Sequence, residues 1–380
     1  MIPYGRQSIE QADIDAVVDV LRSDFLTQGP RVPDFETSVA QAAHAHHAVA
    51  MNSATSALHV ACMALGLGPG DVLWTSPITF VASANCARYC GALVDFVDID
   101  PVSYNMCPRA LASKLEQAAQ NGTLPKIIVP VHLAGQSCDM KAISALAKRY
   151  GVHVIEDASH AIGASYCGQP VGNCAYSDIA VFSFHPVKIV TTAEGGVATT
   201  NDAELAQKMG YLRSHGVTRN SALMSQNDGP WYYQQLDLGY NYRMTELQAA
   251  LGLSQMARLG AFVDRRQELA KRYDEKLVDF PLKRPFQHAD TRSSFHLYII
   301  RVKATQHRAV FEDLRANGIG VNLHYIPVHL QPYYENLGFR KGDFPNSEVY
   351  YSEAISIPVY ATMSDAQQDE VIAQLAKAIG

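Results

Sequence analysis

From about residue 47 onward, short apolar runs alternate with amphipathic stretches, which predicts strands and helices in turn. Ala48–Met51 reads as a strand and Ala54–Leu65 as a helix. Asp71–Thr75, Leu93–Val97, Lys126–Val131 and Val152–Ile155 read as strands. Val81–Tyr89, Pro108–Ala118 and Met140–Tyr150 read as the helices between them. Such alternation argues for an α/β fold, a mostly parallel sheet covered by helices on both faces.

The flanks follow other patterns. Ser8 opens an amphipathic helix, with Gln11 completing a capping box and Ile14, Val17, Val18 and Leu21 at helical spacing. The loop Leu26-Thr-Gln-Gly-Pro-Arg31 then breaks any regular element. One long helix is expected from Thr245 to about Tyr273. Beyond it, Leu297–Val302 reads as a strand, and His307–Ala316 and Asp365–Ala378 as helices. These patterns give a large domain over residues 1–245 that includes the N-terminal helix. A long connecting helix and a smaller α+β domain occupy residues 246–380. No repeat, low-complexity stretch or flexible linker stands between them.

Composition narrows the classes. The 380 residues are 48% hydrophobic and 18% charged, the proportions of an ordinary globular protein with a large core. A net charge of −6 implies no broad cationic face for nucleic acid. No apolar run approaches the roughly 20 residues that cross a bilayer. The opening Met-Ile-Pro-Tyr-Gly-Arg lacks the basic-then-apolar pattern of a signal peptide. The seven cysteines are scattered, odd in number and without a CxxC pair. They read as free thiols of a reducing cytoplasm.

Candidate chemistry centres on Ser183-Phe-His-Pro-Val-Lys188, followed by Ile-Val-Thr-Thr-Ala-Glu194-Gly-Gly196. Lys188 sits in an apolar, hydroxyl-rich segment ahead of a tight turn. Burial lowers the pKa of an amine, and a partly deprotonated amine forms Schiff bases with aldehydes. Pyridoxal phosphate is the natural partner, held by such a lysine and by a carboxylate at its ring nitrogen. Asp157 supplies that carboxylate, just past the carboxyl end of a predicted buried strand, where open α/β sheets bind ligands. Read alone, Asp157 also suits an N-cap.

Met51-Asn-Ser-Ala-Thr55 runs from a strand end into a helix start, where free N–H groups cradle phosphate. Ala54 and Thr55 offer those donors, unless the segment serves only for capping by Asn52 or Ser53. Ser183 adds a hydroxyl to the same phosphate. Phe80, at another strand-to-helix connection, offers a stacking face or a core aromatic. Asn241 and Arg243 precede the long helix and offer an amide and an anion-binding fork. His324, Tyr325 and His329 lie in a proline-punctuated aromatic loop that either lines a pocket or packs.

Two other signals carry little. His44, His46 and His47 lack the partners that a closed zinc site needs, so no metal is expected. Gly66-Leu-Gly-Pro-Gly70 follows a predicted helix and reads as a helix stop, not a dinucleotide fingerprint.

Taken together, the motifs Asn52-Ser-Ala-Thr-Ser-Ala-Leu58, Glu156-Asp-Ala-Ser-His160, Ser183–Lys188, Thr191–Gly196 and Gly239-Tyr-Asn-Tyr-Arg243 identify a resemblance. Over almost its full length the chain resembles the DegT/DnrJ/EryC1/StrS sugar-nucleotide aminotransferases. That resemblance implies a fold-type I pyridoxal phosphate enzyme and a homodimer with shared active sites. It implies roles as follows. Lys188 links covalently to the cofactor and moves the proton. Asp157 pairs with the ring nitrogen, His160 sits near the phenolic oxygen, and Phe80 stacks on the ring. Ala54, Thr55 and Ser183 hold the phosphate, and Asn241 reaches the phosphate of the neighbouring subunit. Many relatives carry glutamine where His160 stands.

A branch of sugar 3-dehydratases has histidine in place of the lysine, so Lys188 argues for transamination. Arg213-Ser-His-Gly216, His324-Tyr-Ile-Pro327 and Gln331-Pro-Tyr-Tyr334 resemble the branch of pseudaminic acid biosynthesis. Its members aminate C4 of a UDP-linked 4-keto-6-deoxy-hexose with L-glutamate as donor. The branch acting on the 4-keto pentose of lipid A modification is the nearest competitor. A cofactor-binding regulator without turnover is the alternative from another class. Thr27, Gln28, His185, Arg243, His324, Tyr325 and His329 are the substrate candidates.

Overall fold

A computed structural model describes residues 1–380. Seven strands form the central sheet: β1 (His47–Met51), β2 (Val72–Thr75), β3 (Leu93–Phe96), β4 (Ile127–Val129), β5 (His153–Asp157), β6 (Ile179–Ser183) and β7 (Gly196–Thr200). Their spatial order is β1-β7-β6-β5-β4-β2-β3. Strand β7 runs antiparallel to both its neighbours, β1 and β6, and the pairings from β6 across to β3 are parallel. β4, β6 and β7 are buried along their whole length. Residues facing either side of them must therefore be apolar or hydrogen-bonded. β4 reads as a continuous apolar run, while β6 and β7 are not among the expected strands, and β7 buries Thr199 and Thr200 by donating to the Gly172 and Asp178 carbonyls.

Helices cover both faces. On one side α3 (Ala54–Ala64), α4 (Ala82–Tyr89) and α7 (Ala203–Leu212) pack on Ile155, Ile179 and Val181. On the other, α2 (Arg31–Ala43) and α8 (Glu246–Met256) enclose Phe182, Phe184 and Val197. Burying a side chain of this size contributes about 1.5–3 kcal/mol. α5 (Pro108–Asn121) and α6 (Met140–Tyr150) cover β4 and the start of β5.

Two expectations at the helices change. α1 spans Gln11–Leu21 and does not begin at Ser8. The Glu10 N–H is capped by the Asp13 carboxylate at 3.0 Å, while the Ser8 carbonyl accepts from Gln255 Nε2 at 2.7 Å. The expected single helix from Thr245 is two, α8 and α9 (Leu259–Lys276), separated at Ala257–Arg258. Arg258 turns there to pair with Glu10 and Asp13 at 2.5 Å each.

The C-terminal layer pairs β8 (Tyr298–Arg301) antiparallel with β9 (Ala354–Ile357). With α9, α10 (Ala304–Ala316) and α11 (Asp365–Ile379) they enclose a separate apolar cluster. The first residues of the chain join this layer. The Ile2 N–H donates to the Gly318 carbonyl, the Gly320 N–H to that of Ile2, and the Val359 N–H to that of Tyr4.

Candidate active site

The carboxyl ends of β1, β5 and β6 open into a cavity of about 540 Å³, closed on its far side by Tyr4 and the residues 322–325. Lys188 lies on its wall, in the connection between β6 and β7. Its amine makes no hydrogen bond or ion pair. Desolvation lowers its pKa to about 8, against the upward pull of Asp157. An amine tuned this way is a nucleophile and proton carrier near neutral pH.

Asp157 ends β5 and is 5% exposed. Ser83 Oγ donates to its Oδ2 at 2.5 Å, and the Ser159 N–H donates to its Oδ1 at 3.1 Å. Thr79 Oγ1 lies 2.7 Å from Ser83 Oγ and extends the chain of hydroxyls. The Ser83 and Ser159 donors fix the orientation of the carboxylate.

The phosphate end is built by α3. Ser53 Oγ caps the helix by accepting from the Ser56 N–H at 3.1 Å. The N–H groups of Ala54 and Thr55 find no acceptor within the chain and front the cavity beside Ser183. This close approach depends on Gly196: a Cβ there would lie 2.4 Å from the Ala54 nitrogen. Free amides at a helix start, next to a hydroxyl, suit a phosphate.

Phe80 lies on the wall with 59% of its surface exposed, its ring 6.3 Å from that of Tyr325. His160, His296 and His324 form the wall opposite. Burial lowers the pKa of all three, assisted by the positive charge of Lys188, and His324 falls to about 3. His160 and His324 act as neutral hydrogen-bonding groups, and the His296 ring packs on His160 at 4.3 Å. His185 is exposed at the mouth, 4.0 Å from Glu194.

The cavity thus gathers Ala54, Thr55, Phe80, Asp157, His160, Ser183, His185, Lys188, His324 and Tyr325. Other candidates lie elsewhere. Thr27 and Gln28 are exposed in the loop ahead of α2, where the Glu246 N–H donates to the Leu26 carbonyl. Asn241 is exposed outside its own chain's cavity, and Arg243 donates to Ser214 Oγ at 2.9 Å. His329 is fully buried, with Nε2 3.1 Å from Glu348 and its ring against Phe344, so it packs the core rather than lining the cavity. His44, His46 and His47 border a separate, open depression near Arg213. Sequence reasoning missed Tyr4, Ser83, His296 and Asn322, which reach the wall from distant elements without any local motif.

The residues fit pyridoxal phosphate at each point that can be tested: a free amine, an anion held in hydrogen bonds across from it, and unpaired helix-start amides. Fold and site define a fold-type I, pyridoxal phosphate-dependent aminotransferase. The pattern of the DegT/DnrJ/EryC1/StrS aminotransferase family matches residues 7–376, and the chain belongs to that family.

Among curated relatives, it is 41% identical to the spore coat polysaccharide biosynthesis protein SpsC of Bacillus subtilis, over 98% of this chain and 95% of that one. It is 38% identical to the UDP-4-amino-4,6-dideoxy-N-acetyl-β-L-altrosamine transaminase of Campylobacter jejuni, over 96% and 94%. Two solved structures superpose closely. Spr1654 of Streptococcus pneumoniae, assigned as a sugar aminotransferase and solved in its PMP form, gives a TM-score of 0.92 at 30% identity, covering 100% and 99%. Helicobacter pylori PseC, an aminotransferase of pseudaminic acid biosynthesis, gives 0.91 at 31%, covering 100% and 99%. The protein is an aminotransferase of this family. No helix is long and apolar enough to cross a membrane.

Proposed function

We propose that the protein transfers the amino group of L-glutamate to C4 of UDP-2-acetamido-2,6-dideoxy-β-L-arabino-hexos-4-ulose, as a cytoplasmic homodimer with shared active sites. The product feeds pseudaminic acid. The observation that carries the chemistry is Lys188: an unpaired amine with its pKa near 8, sharing one cavity with the hydrogen-bonded carboxylate of Asp157. The likeness to the Campylobacter transaminase supports the choice of sugar.

Bound pyridoxal phosphate carries the amino group between substrates and draws electrons from the reacting carbon. The chain's own residues do the rest. The Lys188 amine holds the cofactor and moves a proton at the substrate carbon. Asp157, fixed by Ser83 and Ser159, favours a protonated ring nitrogen. The Ala54 and Thr55 amides and the Ser183 hydroxyl bind phosphate, and Phe80 offers a stacking face. Asn241 reaches the phosphate of a second copy; its exposure outside its own chain's cavity supports that reading.

Purified protein is expected to be yellow and to bleach when glutamate is added. Amination is then assayed with a panel of 4-keto UDP-sugars, including the 4-keto pentose. Preferred turnover of the pentose would overturn the choice of hexose, and colour without bleaching would overturn transamination.

A further inference from the structure

The resemblance put His160 against the phenolic oxygen of the cofactor. In the structure both ring nitrogens of His160 are engaged within the chain. The Ala134 N–H donates to Nδ1 at 3.3 Å, which puts the proton of the neutral ring on Nε2. Nε2 lies 3.0 Å from the Tyr325 hydroxyl and, carrying that proton, donates to its oxygen. Burial and the charge of Lys188 keep this ring neutral, and His296 packs on it at 4.3 Å. A neutral imidazole that accepts at one nitrogen has a single N–H to give, and His160 gives it to Tyr325.

The consequence falls on Tyr325. Its oxygen accepts from His160, while its own proton has no acceptor in the chain and the residue fronts the cavity. Both ring nitrogens of the neighbouring His324 are engaged: Nδ1 pairs with Ser356 Oγ at 2.8 Å, and Nε2 lies 3.4 Å from Asn322 Nδ2. His296 Nδ1 is sealed in the interior. Pyridoxal phosphate presents four points to a protein. Asp157 serves its ring nitrogen, Lys188 its aldehyde carbon, and the α3 start its phosphate. The ring hydroxyl oxygen is left, and the Tyr325 proton, held on the wall beside His160, is free to meet it.

We propose that Tyr325, rather than His160, donates the hydrogen bond to the ring hydroxyl oxygen of the cofactor, and that His160 is the positioning residue that turns the Tyr325 proton toward it. This inference rests on the assignment of Lys188 and Asp157 to the same cofactor. Burial pushes the Tyr325 phenol far above its ordinary range, so it gives a hydrogen bond without giving up its proton. Besides Lys188 and Asp157, the titratable groups facing it are Tyr4, His160, His296 and His324, and the histidines stay neutral.

The test is an absorbance titration of the cofactor-loaded protein, which reads the cofactor's own ionisation and not turnover. A donor at the ring oxygen favours its anionic form and lowers the pH midpoint of the colour change. Tyr325→Phe is expected to raise that midpoint by about one pH unit or more, since one unit is the scale of a single lost hydrogen bond to a charged group. His160→Leu is expected to raise it in the same direction. His160→Gln, whose amide N–H also donates to the phenol, is expected to restore it. An unshifted midpoint in Tyr325→Phe together with a shift in His160→Leu means that His160 touches the cofactor itself, and overturns the proposal. Equal midpoints in all variants overturn it as well. Failure of the underlying assignment has a different signature: the unaltered protein stays colourless with added pyridoxal phosphate.

Discussion

Ser83 donates a 2.5 Å hydrogen bond to Asp157 from the first turn of α4, across 74 residues of sequence. With the Ser159 N–H on the other oxygen, the carboxylate is held in one orientation. Asp157→Asn is close to isosteric and keeps partners for both serine contacts, but it removes the anion. The rate of cofactor bleaching by glutamate is expected to fall about 10²–10³-fold, the scale of one lost preorganised electrostatic contact. A rate near that of the unaltered protein would mean that the ring nitrogen faces elsewhere.

Lys188→Ala removes the only unpaired amine on the cavity wall. Turnover is expected to drop by at least about 10²–10⁴-fold, the contribution of a positioned proton carrier alone. The variant should still bind pyridoxal phosphate, now without a covalent link, so borohydride treatment followed by mass spectrometry should find no cofactor attached at any lysine.

The lowered pKa of Lys188 has a sign that can be checked. Folding holds the amine near 8, below its ordinary 10.5. Between those values the unfolded chain binds more protons than the folded one, so this group makes stability rise with pH across that window. Below about 8 both states are protonated and its contribution is constant. Capture of pyridoxal phosphate by cofactor-free protein should accelerate with pH around a midpoint near 8, measured by stopped-flow absorbance. A midpoint near 10.5 would show that the amine is not desolvated.

Gly196→Ala tests the phosphate cradle. The added Cβ would sit 2.4 Å from the Ala54 nitrogen and 2.5 Å from the Ser53 carbonyl carbon, against backbone that cannot rotate away. Overpacking of this kind costs about 1–3 kcal/mol. Because the displaced atoms are those that front the phosphate, the dissociation constant for pyridoxal phosphate should rise at least about tenfold, one decade being about 1.4 kcal/mol. Inorganic phosphate should compete less well with the variant in the same binding assay.

Sharing of the site across two copies predicts complementation. Asn241→Ala alone should weaken cofactor retention on gel filtration. Mixed with Lys188→Ala under conditions that exchange subunits, it should recover activity in hybrid dimers with one intact site. No recovery, with exchange verified by differential tagging, would place Asn241 in the site of its own chain.

Elements with a clear apolar period were legible in the sequence, whereas the fully buried β6 and β7 were not read as strands. α6 was read with its observed bounds, and β1 to within one residue. α2 was missed although Val32, Phe35, Val39 and Ala43 recur at helical spacing and are buried. It starts directly on the Gly29-Pro30 break and carries Pro33 in its first turn, where a missing N–H costs nothing. The split between α8 and α9 at Ala257–Arg258 has no proline to announce it, and Gly260 lies just beyond it. Arg258 reaches from the break to Asp13 of α1, a contact invisible along the chain. The site divides in the same way. Lys188, Asp157 and the α3 start were legible because each sits at a strand end with a local motif. His296 and Ser83 were not, since their neighbours there come from other elements. His329 misled because it stands in the same aromatic loop as Tyr325 but points into the core.

Tyr4 ends up on the cavity wall only because the chain's opening residues are stitched to Gly318, Gly320 and Val359. On the ribosome those partners emerge long after Tyr4, so this side chain must wait for them before it has a place to dock. Assembly of the binding chamber is therefore a late event.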